Sequence, residues 1–338
     1  MALTQAQLAA LEQINQPLGY SGSFAIVDAE QTLFETSLGL ADQAQALAYT
    51  PEITSAIGSV SKQFTAAALL RLVDAKALNL AQPLSDFFPH YQNAATVTVR
   101  QLLNMAAGLP DYVDIIFKNM QQTAKDLTPA QIETRVNQQV SGDISVAAVL
   151  DLVASKPLQF TPGSQFQYSN TNYALLGQII EQVRGIPYAT FMQQEFLTPL
   201  GMQNTCIGTQ HAQANSDVDF PDHQLTIGRG AHVLGDGGIV LNLNDFKQWA
   251  QAILNQQVYS TAGFAQATTM AHGQYGFGWR ALGDWYYHNG HILGYQAEIF
   301  LSPTHHLASV WLHNHTSFDE SAEQTWGLAL RKWHEHLS

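Results

Sequence analysis

Residues 57–64 read IGSVSKQF, from Ile57 to Phe64, and run directly into TAAALLRLVDAKALNL, residues 65–80. Alanine has the highest helix propensity, and Phe64, Ala68, Leu69, Leu72 and Val73 recur at helical spacing. The pattern predicts a helix with a broad apolar face. At a helix opening, residues three apart share a face, so Ser59 and Lys62 can meet while Ser61 points elsewhere. In the ordinary reading both serines are caps and Lys62 faces solvent. In the chemical reading Ser59 is a nucleophile and Lys62 its base. A hydroxyl loses its proton only at a prohibitive pKa, and a lysine takes it where burial or a cationic neighbour lowers its own. The helix N-terminus favours negative charge on an attacked carbonyl. Taken alone, S-x-x-K occurs often by chance, and the stretch is read as a cap.

Working outward, SGSFAIVDAEQTLFETSLG, residues 21–39, alternates as two short strands. Ser23, Ala25 and Val27 share one face, Phe24 and Ile26 the other, and Asp28 to Gln31 turn the chain into an antiparallel hairpin. From Leu84 to His223 the signal is mainly helical, and NYALLGQIIEQVRG, residues 172–185, is a buried helix stopped at Gly185. The period changes again in YGFGWRAL (275–282), DWYYHNG (284–290), YQAEIFLS (295–302) and LASVWLHNH (307–315). EQTWGLALRKWHEHL, residues 323–337, closes as a helix. Strands at both ends of a helical block predict an α+β fold: one antiparallel β-sheet flanked by helices, with an inserted mainly helical domain. The expected division is a discontinuous sheet domain, 1–83 and 224–338, and a helical domain, 84–223, with a site between them.

The 338 residues are long enough for a large core, and 46% are hydrophobic, 10% aromatic, which excludes general disorder. Only 12% are charged, about half the usual share. A formal charge of −13 with no basic run argues against a nucleic-acid partner and an anionic membrane surface. No stretch approaches 18 continuous apolar residues, so no membrane span is expected. MALTQAQLAALEQINQ lacks a basic leader and a long apolar segment, and Thr4 with Gln7 fits a capping box. A cytoplasmic location is therefore favoured, with a periplasmic or secreted one if a leader has been removed. Cys206, the only cysteine, forms no intrachain disulfide.

Two further clusters bear polar chemistry. In PGSQFQYSNTNY, residues 162–173, Tyr168 and Asn170 lie two apart after a Pro-Gly turn. In an extended segment both side chains enter one cleft, where a phenol relays a proton and an amide holds a lysine and a substrate carbonyl. The bland reading is a packed ring and an Asx-turn. In WYYHNGHILGYQAEIF, residues 285–300, a strand carrying His288 ends near Gly290 and another begins after Gly294. A glycine lets the backbone approach a ligand, and His288 adds a hydrogen bond or a charge. Its bland reading is a hairpin histidine in an aromatic sheet. His305, His306, His313, His315, His334 and His336 crowd the tail, but His313 and His315 alternate on one side of a predicted strand with no carboxylate or cysteine at ligand spacing between them, so no metal is expected. Gly235, Gly237 and Gly238 lack the lysine-serine ending of a phosphate loop and are read as a tight turn beside the cleft. No cofactor is expected.

Together, S-x-x-K (Ser59–Lys62), Y-x-N (Tyr168–Asn170) and H-x-G (His288–Gly290) resemble the three motifs of the class C β-lactamase and penicillin-binding-protein superfamily. S-x-x-K is a known signature of related enzymes. LLNMAAGLPDY (102–112), PLGMQNT (199–205), LGDGGIVLNLNDFKQWA (234–250) and YGFGWRAL are similar to other segments of the same superfamily, so the likeness runs from about Gly22 to the last helix. The resemblance implies an antiparallel sheet with flanking helices, a helical domain and an active site between them. It implies Ser59 as nucleophile, Lys62 as its base, Tyr168 as proton shuttle and Asn170 as the group that orients the acyl chain and Lys62. The N–H groups of Ser59 and His291 would form an oxyanion hole beside Gly290, and an acyl-Ser59 intermediate would be hydrolysed by water.

His288 departs from the lysine usual in the lactamases, and a histidine is largely neutral near pH 7. His291 is bulky where a small residue is expected, which bears on the width of the cleft. The expectation is a serine hydrolase for small-molecule esters, amides, β-lactams or D-amino-acid peptides, with esterase activity favoured over antibiotic hydrolysis. The alternatives are a D-alanyl-D-alanine carboxypeptidase or D-aminopeptidase, and a non-catalytic peptidoglycan- or ligand-binding protein.

Overall fold

The hairpin at the start of the chain forms as the alternation predicts, with β1 over Gly22–Asp28 and β2 over Thr32–Leu38. Ala25 and Val27 enter the main core, while Phe24 and Ile26 enter a second core on the opposite face. A computed structural model describes residues 4, 6–7, 9–10, 21–124, 131, 144–219, 224–227, 234–292, 294–317 and 331–334. Within it the tail supplies β3 (Arg280–Leu282), β4 (Trp285–Ile292), β5 (Tyr295–Ser302) and β6 (Leu307–His313). These join the hairpin in one six-stranded antiparallel sheet of order β3-β4-β5-β6-β1-β2. The fold is α+β, a sheet assembled from the two ends of the chain and flanked by helices.

The inner face of the sheet carries the main core. The helix of the opening stretch, α1 (Ser61–Asp74), lies against it, and its Phe64 ring stacks on Trp249 at 3.7 Å between centroids. Such a pair adds about 0.5–1.5 kcal/mol beyond area burial. The expected single apolar face is too narrow. Residues from Ser61 to Leu70 are all buried, because small alanines let neighbours close on every side. Those neighbours include α4 (Asn170–Arg184) and, through Trp249, α5 (Leu243–Leu254), while α2 (Tyr112–Ala124) and α3 (Val146–Ala154) pack on α4. Helix α4 ends as expected on Gly185, in the left-handed region at φ 68°.

The outer face is covered by Phe24, Ile26, Trp285, Phe300, Leu307 and Trp311, together with Trp333 and Ala10 from the two chain ends. Residues 331–334 are helical and Thr4 with Gln7 makes the reciprocal capping bonds. The rest of both terminal helices lies outside the described residues, as do His336, residues 220–223, and 125–130 and 132–143 of the segment after Tyr112. Among the described residues no helix is long and apolar enough to cross a membrane.

One difference concerns β4. The reading ended this strand near Gly290, whereas it runs on to Ile292 and pairs with β5 throughout. Its first three residues pair with β3, which leaves the other edge from His288 onward facing the turn before α1.

Candidate active site

The turn at Gly58–Val60 is a single 3-10 turn that leads into α1 and sets Ser59 half-buried at its start. Gly58 has φ +49°, and a Cβ there would lie 2.8 Å from the His291 nitrogen. On the facing strand, a Cβ on Gly290 would lie 1.9 Å from the Ile57 oxygen and 2.9 Å from the Ser59 nitrogen. Two glycines therefore let β4 close on the serine turn with their backbones touching. This contact brings the backbone nitrogens of Ser59 and His291 to the same junction between strand and turn. The lateral support is a small sheet in which Ile239–Leu241 pairs with both Ser55–Ala56 and Cys206–Ile207. Ser61 belongs to that support, its hydroxyl accepting from the Ile239 N–H at 3.1 Å.

Lys62 is fully buried. Its Nζ donates to Ser59 Oγ at 2.9 Å, Asn170 Oδ1 at 2.8 Å and the Asp236 carbonyl at 2.7 Å. An amide oxygen and a backbone carbonyl only accept, so those two bonds consume two N–H groups whatever the charge on Lys62. In the neutral amine the remaining position is a lone pair, and it points at the Ser59 hydroxyl. Asn170 is the first residue of α4. Its Nδ2 donates to Asp111 Oδ2 at 2.9 Å, which holds the amide oxygen toward Lys62. Asp236 also accepts from the Tyr112 hydroxyl at 2.7 Å through its carboxylate. The glycine-rich turn, helical over Leu234–Gly237, thus lines the cleft as expected and delivers a carbonyl to it.

Tyr168 precedes α4 in extended chain, and its ring lies 5.1 Å from Lys62 Nζ. The Tyr168 hydroxyl is buried and has no hydrogen-bond partner among the described residues. The ring packs edge-on against Tyr275 at 5.9 Å and tilted against His288 at 6.4 Å.

His288 is buried, and its Nδ1 lies 2.7 Å from the Asn289 carbonyl, which accepts only, so that nitrogen carries the proton. Nε2 is then the acceptor, and the Tyr275 hydroxyl donates to it at 2.8 Å. Burial first, then the charges of Lys62 and Arg280, push its pKa down to about 3. The ring is a neutral strut under the cleft, where a lysine would be a cation.

His291 sits differently from the expectation that its bulk bears on the width of the cleft. It pairs with Gln296, which pairs with His313, and this row lies on the outer face of the sheet. Only its backbone borders Ser59, because the strand continues through Gly290 and alternation turns the next side chain away.

The structure thus brings Ser59, Lys62, Tyr168, Asn170, His288 and Gly290 to one cleft and turns the His291 ring out of it. It adds residues that the motifs do not name: Asp111, Tyr112, Asp236, Tyr275 and Arg280. Asp111, Asp236 and Arg280 lie inside segments already similar to family segments, yet their roles depend on partners far along the chain. The Arg280 guanidinium stands 5.7 Å from the Phe166 ring, 5.8 Å from Tyr168 and 5.5 Å from Tyr275. It makes no ion pair or hydrogen bond among the described residues. The tail histidines pack on aromatic rings: His305 and His334 both lie against Trp285, His334 also stacks on Phe300 and bonds Ser309, and the His313 and His315 rings are 6.4 Å apart.

A family model described as Beta-lactamase matches residues 12–332. The chain is 24% identical to penicillin-binding protein 4* of Bacillus subtilis (strain 168), over 96% of this chain and 74% of that one. It is 25% identical to protein flp of Staphylococcus aureus (strain MW2), over 86% of this chain, and spans only 59% of that relative's length. Its fold is similar to that of D-amino acid amidase from Ochrobactrum anthropi SV3, with a TM-score of 0.80 at 20% identity over 98% and 99% of the two chains.

Proposed function

The chain belongs to the beta-lactamase family, and on that premise we propose that it is a serine amidohydrolase that cleaves small amides or peptides through an acyl-Ser59 intermediate. The observation that carries this reading is the threefold bonding of Lys62. Two fixed acceptors leave the Ser59 hydroxyl as the one proton source for the amine. Ser59 Oγ attacks the carbonyl carbon, a C–O bond forms, and the serine proton passes to Lys62. The oxyanion lies between the Ser59 and His291 N–H groups. The C–N bond then breaks as Tyr168 gives its proton to the departing nitrogen and takes one back from Lys62. Water adds to the acyl carbon, the C–Oγ bond breaks, and Ser59 regains its proton.

An amide substrate is favoured over the ester expected from the motifs. An amine leaves only when protonated, whereas an activated alkoxide leaves without help. The Tyr168 hydroxyl, unpartnered among the described residues, is the group that meets this need. The named activity of the structurally similar D-amino acid amidase supports an amide with a D-residue. Arg280 supports a substrate with an anionic end, since no carboxylate among the described residues neutralises it. A D-amino-acid carboxypeptidase fits both features.

The test is covalent labelling followed by a substrate panel. A fluorophosphonate and a penicillin should each add their mass to Ser59, and Ser59→Ala should abolish both adducts. An unmodified wild-type protein would refute the catalytic reading. In the panel, a D-alanyl-D-alanine peptide and a D-amino acid amide should exceed a short-chain aryl ester in rate enhancement over the uncatalysed reaction. The reverse ranking restores the esterase.

A further inference from the structure

Asp111 is buried just ahead of α2. Its Oδ1 accepts from the Val113 N–H at 2.9 Å, which caps α2. Its Oδ2 accepts from the Asn170 N–H at 3.0 Å, at the start of α4, where the N-cap residue Ser169 makes no capping bond of its own. One carboxylate thus closes the ends of two helices. Desolvation raises its pKa, and the two N–H bonds oppose the rise. Neighbouring bonds lock the same two turns together: Thr171 Oγ1 donates to the Pro110 carbonyl at 2.6 Å and accepts from the Tyr112 N–H at 3.0 Å.

Capping needs backbone N–H groups only. The remaining bond, from the Asn170 side-chain Nδ2 at 2.9 Å, has no part in it. A carboxylate can only accept, so it admits the amide in one orientation, nitrogen toward Asp111 and oxygen toward Lys62. A flipped amide would set its N–H groups against those of Lys62, and Lys62 would lose one of the acceptors that aim its third position at Ser59.

We propose that Asp111 is a positioning residue for acylation, acting on Lys62 through the Asn170 amide. It never touches substrate. The inference rests on the reading of Ser59 and Lys62 as nucleophile and base.

The test uses Asp111→Ser, which retains a side chain able to cap α2 but too short to reach Asn170. Asp111→Asn is the second variant; it keeps the shape, and its single acceptor oxygen cannot serve both helices. Fluorophosphonate labelling run to completion counts folded sites, and its time course gives the acylation rate. Both variants should label to full stoichiometry about 100-fold more slowly, the scale of a misplaced catalytic group, with KM for the preferred amide nearly unchanged. Asn170→Ala supplies the double-mutant cycle. If Asp111 acts through Asn170, Asp111→Ser slows the Asn170→Ala protein no further. A wild-type rate in either folded variant, or multiplying effects in the cycle, overturns the proposal. If wild-type Ser59 takes no label, the nucleophile reading falls first and the positioning role with it. If the wild type labels and the variants match it, only the positioning role falls.

Discussion

Lys62 and His288 are both buried basic side chains, one on each wall of the Ser59 cleft, and their surroundings treat them in opposite ways. Lys62 meets an amide oxygen, a carbonyl and a hydroxyl, two of which can do nothing but accept. His288 meets one carbonyl and one hydroxyl, a pair that completes a neutral imidazole with nothing left over. Positive charge on Arg280, and on Lys62 whenever it carries its extra proton, further disfavours a charge on it. Burial alone therefore does not decide what a buried base does. The number of obligate acceptors around it does, and by that measure the function proposed above assigns proton transfer to the Lys62 wall and a scaffold role to the His288 wall.

The most direct way to break this contrast is to remove the amine. Lys62→Met keeps most of the side-chain volume and strips all three bonds. Acylation of Ser59 should fall by about 10³-fold or more. The Asn170 and Asp236 oxygens lose a donor, which costs about 1–3 kcal/mol each, so a lowered but cooperative melt should accompany the loss. Stopped-flow acylation at a near-wild-type rate would move the base elsewhere.

A smaller effect should come from Tyr168, the proton shuttle of the proposed mechanism. Tyr168→Phe leaves the ring contacts with Tyr275 and His288 in place and removes only a hydroxyl with no partner among the described residues. Stability should stay within about 0.5 kcal/mol or rise, since a buried orphan polar group is deleted. Turnover of an amide should drop about 100-fold, and that of an activated aryl ester much less, because only the amine needs a proton to leave. Equal losses on both substrates would take Tyr168 out of leaving-group protonation.

Much of this contrast was legible before the structure, for physical reasons that differ by residue. Strand alternation assigned Ala25 and Val27 to one core and Phe24 and Ile26 to the other, because period two is a local property. The spacing of Ser59 and Lys62 put them on one face for the same reason, and the structure brings them within hydrogen-bond reach. Asp111, Asp236 and Arg280 were not legible, because each matters through a partner far along the chain; Asp111 meets Asn170 59 positions away. The state of His288 was illegible too, since nothing local reveals that Tyr275 would close its second nitrogen. His291 was misplaced by two residues of strand length: a strand that stops at Gly290 leaves the next side chain undetermined, and one that reaches Ile292 turns it outward.

The finest test bears on charge at His288 and reads stability against pH. Its pKa is near 3 in the folded protein and 6.5 when exposed. Below pH 6.5 the unfolded chain takes a proton that the folded chain refuses, so the stability His288 lends at neutral pH is lost as pH falls toward 3. His313, also pushed down to about 3 by burial, adds a loss over the same window. Glu298 acts the other way. Burial lifts it from 4.5 to about 7, so its contribution is full below pH 4.5 and disappears as pH rises through 7. A wild-type profile mixes all three, but the difference from His288→Gln isolates one. Gln is neutral throughout and can still meet Tyr275, so the variant should be somewhat less stable at pH 7.5. Relative to wild type it should then gain about 1.4 kcal/mol per pH unit between 6.5 and 4.5. Calorimetric melts at pH 7.5, 6 and 5 measure that difference, and a constant offset would mean His288 titrates alike folded and unfolded. Activity supplies the other half. If His288 is scaffold, the acid limb of acylation keeps its midpoint in the variant. If the limb shifts when the imidazole is removed, His288 carries charge during catalysis and the two walls of the cleft are not as different as their hydrogen bonds make them.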